Sequence, residues 1–216
     1  MKKRIALSFC LLAALLLGGC GGKDTTQDAT QDTADESQNE QMDSSQDVAE
    51  GVGTHHVEIT IKDMGTITVE LDGDAAPITV QNFLDLAGSG FYDGLTFHRI
   101  INGFMMQGGD PNGDGTGGSE QTIKGEFAEN GIENDLSHTR GAISMARAQD
   151  MDSASSQFFI VHQDSTYLDG QYACFGYVTE GMDIVDQICE NTKVEDGNGT
   201  VLPENQPVIE SIVITD

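Results

Sequence analysis

Residues 97–110, FHRIINGFMMQGGD, combine two chemical characters in one short stretch. Phe97 and Phe104 suit a buried sheet, whereas Arg99 and Gln107 are strong hydrogen-bonding groups. Buried polar groups must be paired. An arginine and a glutamine among phenylalanines and methionines therefore suggest a ligand cleft that is mostly apolar with a few fixed polar donors. The alternative is a strand pair whose arginine simply extends into solvent.

A second stretch, residues 142–170, reads AISMARAQDMDSASSQFFIVHQDSTYLDG. Together the two stretches resemble the cyclophilin family of peptidyl-prolyl cis-trans isomerases. The resemblance runs over about residues 55–215, where FHR, GFMMQGGD, GTGG, ISMA, SQFFI and LDG occur in the family's order. Several motifs in order are far more specific than one motif, so the resemblance predicts an isomerase that acts on X-Pro bonds.

Isomerisation of an X-Pro bond needs no covalent intermediate. The amide resists rotation with a barrier of about 18–20 kcal/mol, which makes the uncatalysed reaction take roughly 10–100 s. A cationic donor near the prolyl nitrogen weakens the resonance in the twisted state, and an apolar pocket holds the proline ring. Arginine suits the first task because its charge does not titrate away and its planar fork can donate twice.

The resemblance also implies which residues carry these roles. Arg99 matches the catalytic arginine, and Gln107 matches a glutamine that hydrogen-bonds the substrate backbone. Gln157 matches a polar neighbour that helps to orient the arginine. The walls of the proline pocket and the strip beside the substrate's main chain are matched by Phe104, Met105, Phe159 and Leu168, and by Ala146 and the backbone of Arg147.

Three positions depart from the animal members of the family. Tyr167 stands where many members carry a tryptophan that contacts cyclosporin, Tyr172 stands at a pocket position often held by histidine, and Arg147 replaces an asparagine. These side chains are still expected to contact the substrate. They put cyclosporin sensitivity in doubt, and Arg147 is predicted to favour acidic residues beside the proline.

The N-terminal residues resemble a bacterial lipoprotein signal peptide. Residues 1–19 contain a basic start and an apolar run too short to span a bilayer, and small residues precede Cys20. We therefore expect lipid attachment at Cys20 and an extracytoplasmic protein anchored to the cell membrane. The alternative is a plain secretory peptide cut nearby.

A polar segment follows the lipidation site. Residues 20–54 are rich in Gln, Asp, Ser and Thr and hold almost no large apolar residues, so they cannot bury enough surface to fold. They are predicted to form a disordered acidic tether that carries a folded domain at residues 55–216.

The composition limits the partners of this domain. A net charge of −26 argues against nucleic acid and against anionic membrane surfaces, because phosphate binding needs clustered Lys and Arg. The expected partners are proline-containing unfolded polypeptides, with membrane attachment through the lipid alone. A monomer is expected, since no apolar element is left over for an interface.

No cofactor or metal is expected. Cys174 and Cys189 could pair in an exported protein, but their apolar surroundings favour two buried thiols, and no zinc-ligand spacing occurs. Residues 110–115, DPNGDG, imitate the start of a calcium loop. The twelfth position is Gln121 instead of glutamate, which favours a glycine-rich loop beside the cleft.

Hydrophobic patterns predict a mainly β fold. Alternation indicates a hairpin around Met64 and Gly65, and helix patterns cover residues 77–88 and 182–189. Because closure removes exposed strand edges, we expect a closed eight-stranded antiparallel cyclophilin-like barrel capped by two α-helices. The predicted strands span residues 57–61, 67–71, 96–101, 104–107, 142–146, 158–162, 173–178 and 208–214.

Two other functions are weighed against the isomerase. A non-catalytic peptide-binding chaperone or scaffold could use the same pocket, although binding alone would not specifically require Arg99. A lipid-anchored solute-binding protein fits only the N-terminus, because its domain would be larger and would alternate strands with helices.

Overall fold

A computed structural model describes residues 52–216, in which eight strands and two α-helices form. The predicted signal peptide, Cys20 and most of the predicted tether lie outside the described residues. The elements in chain order are β1 (Thr54–Ile61), β2 (Gly65–Asp72), α1 (Pro77–Gly88), β3 (Thr96–Ile101), β4 (Met105–Asp110), β5 (Ala142–Met145), β6 (Phe158–Val161), β7 (Cys174–Glu180), α2 (Met182–Asn191) and β8 (Ile209–Ile214).

The predicted hairpin is confirmed as β1 and β2, which pair in antiparallel register from Thr54 opposite Asp72 to Ile61 opposite Gly65. Asp63 in the connecting turn has a φ of 62°, a conformation that aspartate tolerates better than most residues. Alternate side chains of both strands are buried, as the sequence pattern requires.

The eight strands form one antiparallel sheet in the order β3-β4-β6-β5-β7-β2-β1-β8, which curls into a half-barrel. The prediction of a closed barrel was wrong, because β3 and β8 at its two edges share no ladder. The segment before β8 occupies the edge of β3 instead: Gly199 accepts from the Ile100 amide at 2.8 Å, and Pro207 accepts from the Phe97 amide at 3.0 Å. Pro207 has no amide to donate, and β3 is joined to this segment by two isolated bridges, Thr96 with Val208 and Arg99 with Thr200, rather than by a ladder.

Both predicted helices are present and bury one apolar face each. Helix α1 begins with Pro77, whose missing amide costs nothing in the first turn. The carboxylate of Glu126 accepts from the free amides of Ile78 at 3.0 Å and Thr79 at 2.8 Å, so it stabilises the positive end of this helix. Helix α2 runs two residues beyond its predicted end. Neither is long and apolar enough to cross a membrane, and this holds for all helices of residues 52–216.

The sheet carries a different apolar cluster on each face. Successive strand residues point to opposite faces, so Ile100, Met106 and Ile160 join the main core under the helices. Their neighbours Met105 and Phe159 join a smaller cluster on the other face. That second cluster forms the floor of the cleft described below.

The two cysteines of the domain are buried free thiols, as predicted. Burial raises the pKa of both Cys174 and Cys189 to about 12, so neither thiol forms a reactive thiolate near neutral pH.

Candidate active site

The cleft is organised by strand register. In the ladder of β3 with β4, Arg99 lies opposite Gln107, and in the ladder of β4 with β6, Gln107 lies opposite Phe159. Residues directly opposite each other project from the same face of a sheet. Register alone therefore places the arginine, the glutamine and a pocket phenylalanine side by side.

Nine of the eleven predicted site residues line one cavity of about 210 Å³. Its lining combines apolar side chains with two arginines, a glutamine and a tyrosine, and no carboxylate is among the residues that line it. The nine are Arg99, Phe104, Met105, Gln107, Ala146, Arg147, Phe159, Leu168 and Tyr172.

A second cavity of about 350 Å³ shares Gln107, Ala146 and Arg147 with the first. Gln157, the tenth predicted residue, lines this second cavity together with a glycine-rich loop at residues 115–119. The two cavities therefore offer a continuous surface for a peptide on either side of the strip at residues 146–147.

Tyr167 is the one predicted substrate-binding residue that lines neither cavity. Its side chain is 64% exposed, and its ring lies 6.0 Å from the ring of Phe104, measured between centroids. It therefore lies at the rim of the cleft rather than in its wall.

A chain of side-chain amides fixes the arginine. Arg99 donates from Nη1 to Gln107 Oε1 at 3.2 Å, and Gln107 donates from Nε2 to Gln157 Oε1 at 2.9 Å. Gln157 in turn donates to the carbonyl of Gly117 at 2.7 Å. Gln157 therefore reaches Arg99 through Gln107, and its role in orienting the arginine stays a prediction.

The backbone carbonyl of Asn198 is a contact that the sequence did not reveal. It accepts from Nε of Arg99 at 2.9 Å. The turn that presents it is held by Asp196, whose carboxylate accepts from the amides of Asn198 at 2.9 Å and Thr200 at 3.2 Å. The string DGNGT carries the signal for such a turn, but not for its position beside Arg99.

Arg147 is held by two aromatic rings and three backbone carbonyls, those of Gln171, Ala148 and Gln149. Its guanidinium carbon lies 5.1 Å from the ring centroid of Phe127 and 4.8 Å from that of Tyr172. Its nitrogens donate to the Gln171 carbonyl at 2.9–3.0 Å and to the Ala148 carbonyl at 3.0 Å. Among residues 52–216 no carboxylate forms an ion pair with it, and the stacking on Tyr172 stiffens one wall of the pocket.

The calcium-like string at residues 110–115 folds into a loop around its own first carboxylate. Asp110 is 1% exposed and accepts from the amides of Asn112 at 2.8 Å, Asp114 at 3.2 Å and Gly115 at 2.6 Å. Burial alone would raise the pKa of Asp110, but these donated hydrogen bonds outweigh it and lower the pKa. This carboxylate therefore organises the loop that Gln157 reaches.

Two histidines support the site without lining the first cavity. His98, next to Arg99, is buried with no hydrogen-bond partner for either ring nitrogen among the described residues, and burial lowers its pKa. His138 stacks behind Phe159 at 6.0 Å between ring centroids and bonds Asp169 and Ser144. Burial lowers the pKa of His138 as well, and this outweighs the hydrogen bond and the charge of Asp169, which raise it.

Comparison with known proteins decides the family. Residues 56–215 match the family model described as cyclophilin type peptidyl-prolyl cis-trans isomerase/CLD. The chain belongs to the cyclophilin family. It is 46% identical to peptidyl-prolyl cis-trans isomerase B of Bacillus subtilis over 144 residues, which are 67% of this chain and 92% of that protein. The enzyme class predicted from the sequence is therefore confirmed as a peptidyl-prolyl cis-trans isomerase.

Other cyclophilins agree in sequence and in fold. Peptidyl-prolyl cis-trans isomerase B of Escherichia coli is 38% identical over 162 residues, 70% of this chain and 95% of that protein. A crystal structure of a Cryptosporidium parvum cyclophilin superposes with a TM-score of 0.67 at 32% identity, covering 76% of this chain and 99% of that one. The same protein crystallised in the presence of the dipeptide Ala-Pro superposes with a TM-score of 0.66.

Proposed function

We propose that the cleft accelerates cis-trans isomerisation of X-Pro bonds in unfolded or refolding exported polypeptides. The observation that carries the proposal is the pairing of Arg99 with Gln107 in a cavity that also presents Phe104, Met105 and Phe159 and that no carboxylate lines. An unneutralised cation beside the prolyl nitrogen stabilises the twisted amide more than the planar one.

The other residues of the cleft divide the work. The proline ring packs against Phe104, Met105 and Phe159. The substrate backbone binds to Gln107 and to the strip at Ala146, and Gln157 holds the Gln107 side chain in its orientation. No covalent bond forms or breaks. No metal or cofactor enters the proposal.

A refolding assay tests this function. The substrate is a protein whose slow refolding phase is limited by an X-Pro bond. We expect the full chain to accelerate that phase at one-hundredth of the substrate's concentration. If the chain binds the unfolded substrate but does not accelerate its refolding at any ratio of chain to substrate, catalysis is contradicted. That result would favour a non-catalytic peptide-binding module.

We further propose that the protein is anchored outside the cytoplasm through lipid on Cys20. The support is the run of small residues directly before this cysteine and the polar segment that follows it. With Cys20→Ala, we expect the protein to leave the membrane fraction while its isomerase activity stays unchanged. Membrane association that survives this substitution would contradict the proposal.

A monomeric state is part of the same proposal. Within residues 52–216, four large hydrophobic side chains are exposed, and one of them, Tyr167, lies at the cleft. Sedimentation of the purified chain is expected to give a single monomeric species.

A further inference from the structure

His162, directly after β6, has both of its ring nitrogens engaged although it is only 2% exposed. The backbone amide of Gly103 lies 2.9 Å from Nδ1, and Oδ1 of Asp186 lies 3.1 Å from Nε2. A backbone amide can only donate, so Nδ1 must be the acceptor. The proton of the neutral ring therefore sits on Nε2, which faces the Asp186 carboxylate, and the Gly103 contact fixes this tautomer.

Asp186 anchors this ring to helix α2. Its carboxylate receives a two-pronged pair from Arg140, at 2.7 Å from Nη1 and 2.9 Å from Nη2. Arg140 also donates to the backbone carbonyl of His162 at 2.8 Å. The helix, the arginine and the end of β6 thus hold the imidazole in a single orientation.

The other side of the ring holds the turn between β3 and β4. Gly103 in this turn has a φ of 80°, and Phe104 follows it directly. The Phe104 carbonyl accepts from the His162 amide at 2.8 Å. His162 therefore forms two hydrogen bonds with the turn, one through its backbone amide and one through Nδ1. Only the hydrogen bond to Nδ1 depends on which side chain is present.

We propose that His162 is a positioning residue that holds the turn at Gly103, and with it the ring of Phe104, in place as a wall of the proline pocket. The inference rests on the proposed function. Arg99 and Gln107 are held by their own hydrogen bonds, so loss of the Nδ1 contact loosens substrate binding and leaves the catalytic arginine in place. The sequence analysis predicted no residue that positions the turn at Gly103.

Two substitutions separate the contacts of the ring. In His162→Asn the side-chain oxygen stands near the former Nδ1 and can still accept from Gly103. In His162→Gln the amide nitrogen stands near the former Nε2, so the contact with Asp186 survives and the one with Gly103 is lost. Gln163→Ala, an exposed neighbour, is the matched control.

The measurements are KM and kcat for an X-Pro peptide with the full chain, and the peptide's Kd by NMR titration. We expect His162→Gln to raise KM and Kd about tenfold, as for one lost hydrogen bond, with kcat within about twofold. His162→Asn and Gln163→Ala should stay within about twofold of the native protein in all three. Equal KM for the Asn and Gln variants, or a loss confined to kcat, would overturn the proposal.

Two further readings keep the test decisive. If His162→Gln does not fold, NMR of the imidazole nitrogens in the native protein tests the proposal instead. An unprotonated Nδ1 coupled to the Gly103 amide supports the proposal, and a protonated Nδ1 overturns it. If the native chain binds peptide without accelerating isomerisation, the proposed function fails, but the order of the Kd values still tests the role of His162.

Discussion

At the scale of single residues, Arg99 depends on neighbours that contribute no charge. Its contacts are the Gln107 side chain and the Asn198 carbonyl, both acceptors that direct the guanidinium without neutralising it. A carboxylate at either place would offset the positive charge that the twisted amide requires. The site therefore fixes a cation in position and keeps its charge available to the substrate.

Gln157→Leu tests the amide chain behind this arginine. The substitution removes the acceptor of Gln107 and the donor to the Gly117 carbonyl, so Gln107 loses its fixed orientation. We expect kcat/KM to fall about tenfold, the effect of one lost hydrogen bond. Peptide isomerisation kinetics measure it, with Gln121→Leu at an exposed position as control. A kcat/KM within twofold of the native protein would contradict a role of Gln157 in catalysis.

Arg147 tests the predicted preference for acidic residues beside the proline. If its charge acts on the substrate, Arg147→Asn should lower the ratio of kcat/KM for Glu-Pro over Lys-Pro peptides about fivefold, the effect of about 1 kcal/mol of charge interaction. Arg147→Lys keeps the charge and loses the stacking, so it should preserve most of the ratio. An unchanged ratio in Arg147→Asn would refute the hypothesis.

At the scale of elements, β3, β4 and β6 supply four of the nine residues that line the first cavity, and the other five lie outside the strands. Loops also hold the strand residues in position. The Asp110 loop is the clearest case, because one buried carboxylate satisfies several loop amides and the loop then offers the Gly115 and Gly117 carbonyls to Gln157. Strand register places Arg99, Gln107 and Phe159, and the loops limit the side chains of the arginine and the glutamine to one arrangement.

Asp110→Asn tests the loop. Asparagine keeps one acceptor oxygen and loses the other, so part-buried hydrogen bonds to the loop amides are lost. We expect unfolding to become about 1–3 kcal/mol easier, as measured by denaturant titration, and kcat/KM to fall with it. Asp150→Asn, at an exposed position, is the control. Native stability in Asp110→Asn would contradict the role of this carboxylate.

The strands could be predicted from the sequence, but the loop contacts could not. Alternation predicted the hairpin of β1 and β2, because one face of each strand is buried and the pattern has a period of two. The contact of Asn198 with Arg99 joins positions 99 residues apart through a backbone carbonyl, which leaves no trace in side-chain type. The same limit explains the error on barrel closure, since the covering of the β3 edge by residues 199–207 depends on long-range backbone pairing.

At the scale of the whole molecule, acid stability is set by buried histidines as well as by carboxylates. The pKa values of His98 and His138 are lowered, above all by burial. An unfolded chain therefore binds protons at these positions at a pH where the native domain does not. The stability they contribute is full above the unfolded pKa of about 6.5 and declines as the pH falls below it.

We accordingly expect the melting temperature to fall between pH 7 and pH 5, before most carboxylates titrate. The neutral ring of His138 donates from Nδ1 to Asp169, so its Nε2 accepts from the Ser144 hydroxyl. His138→Gln can keep an acceptor toward Ser144 and removes one titrating group, so it should flatten this fall. His56→Gln, at a partly exposed position, should not. Melting curves by circular dichroism measure the effect, and a melting temperature constant from pH 7 to pH 5 would contradict it.

The central claim is that Arg99 acts on the twisted amide rather than on substrate binding. The measurement is the exchange rate of an Ala-Pro peptide by NMR, with native protein, Arg99→Ala and Arg99→Lys, alongside the Kd of each. We predict that Arg99→Ala lowers the catalysed rate on the order of 10²–10³-fold, as for loss of one transition-state donor, with Arg99→Lys also impaired and Kd changed much less. Catalysis by Arg99→Ala within a few-fold of the native rate would contradict the account.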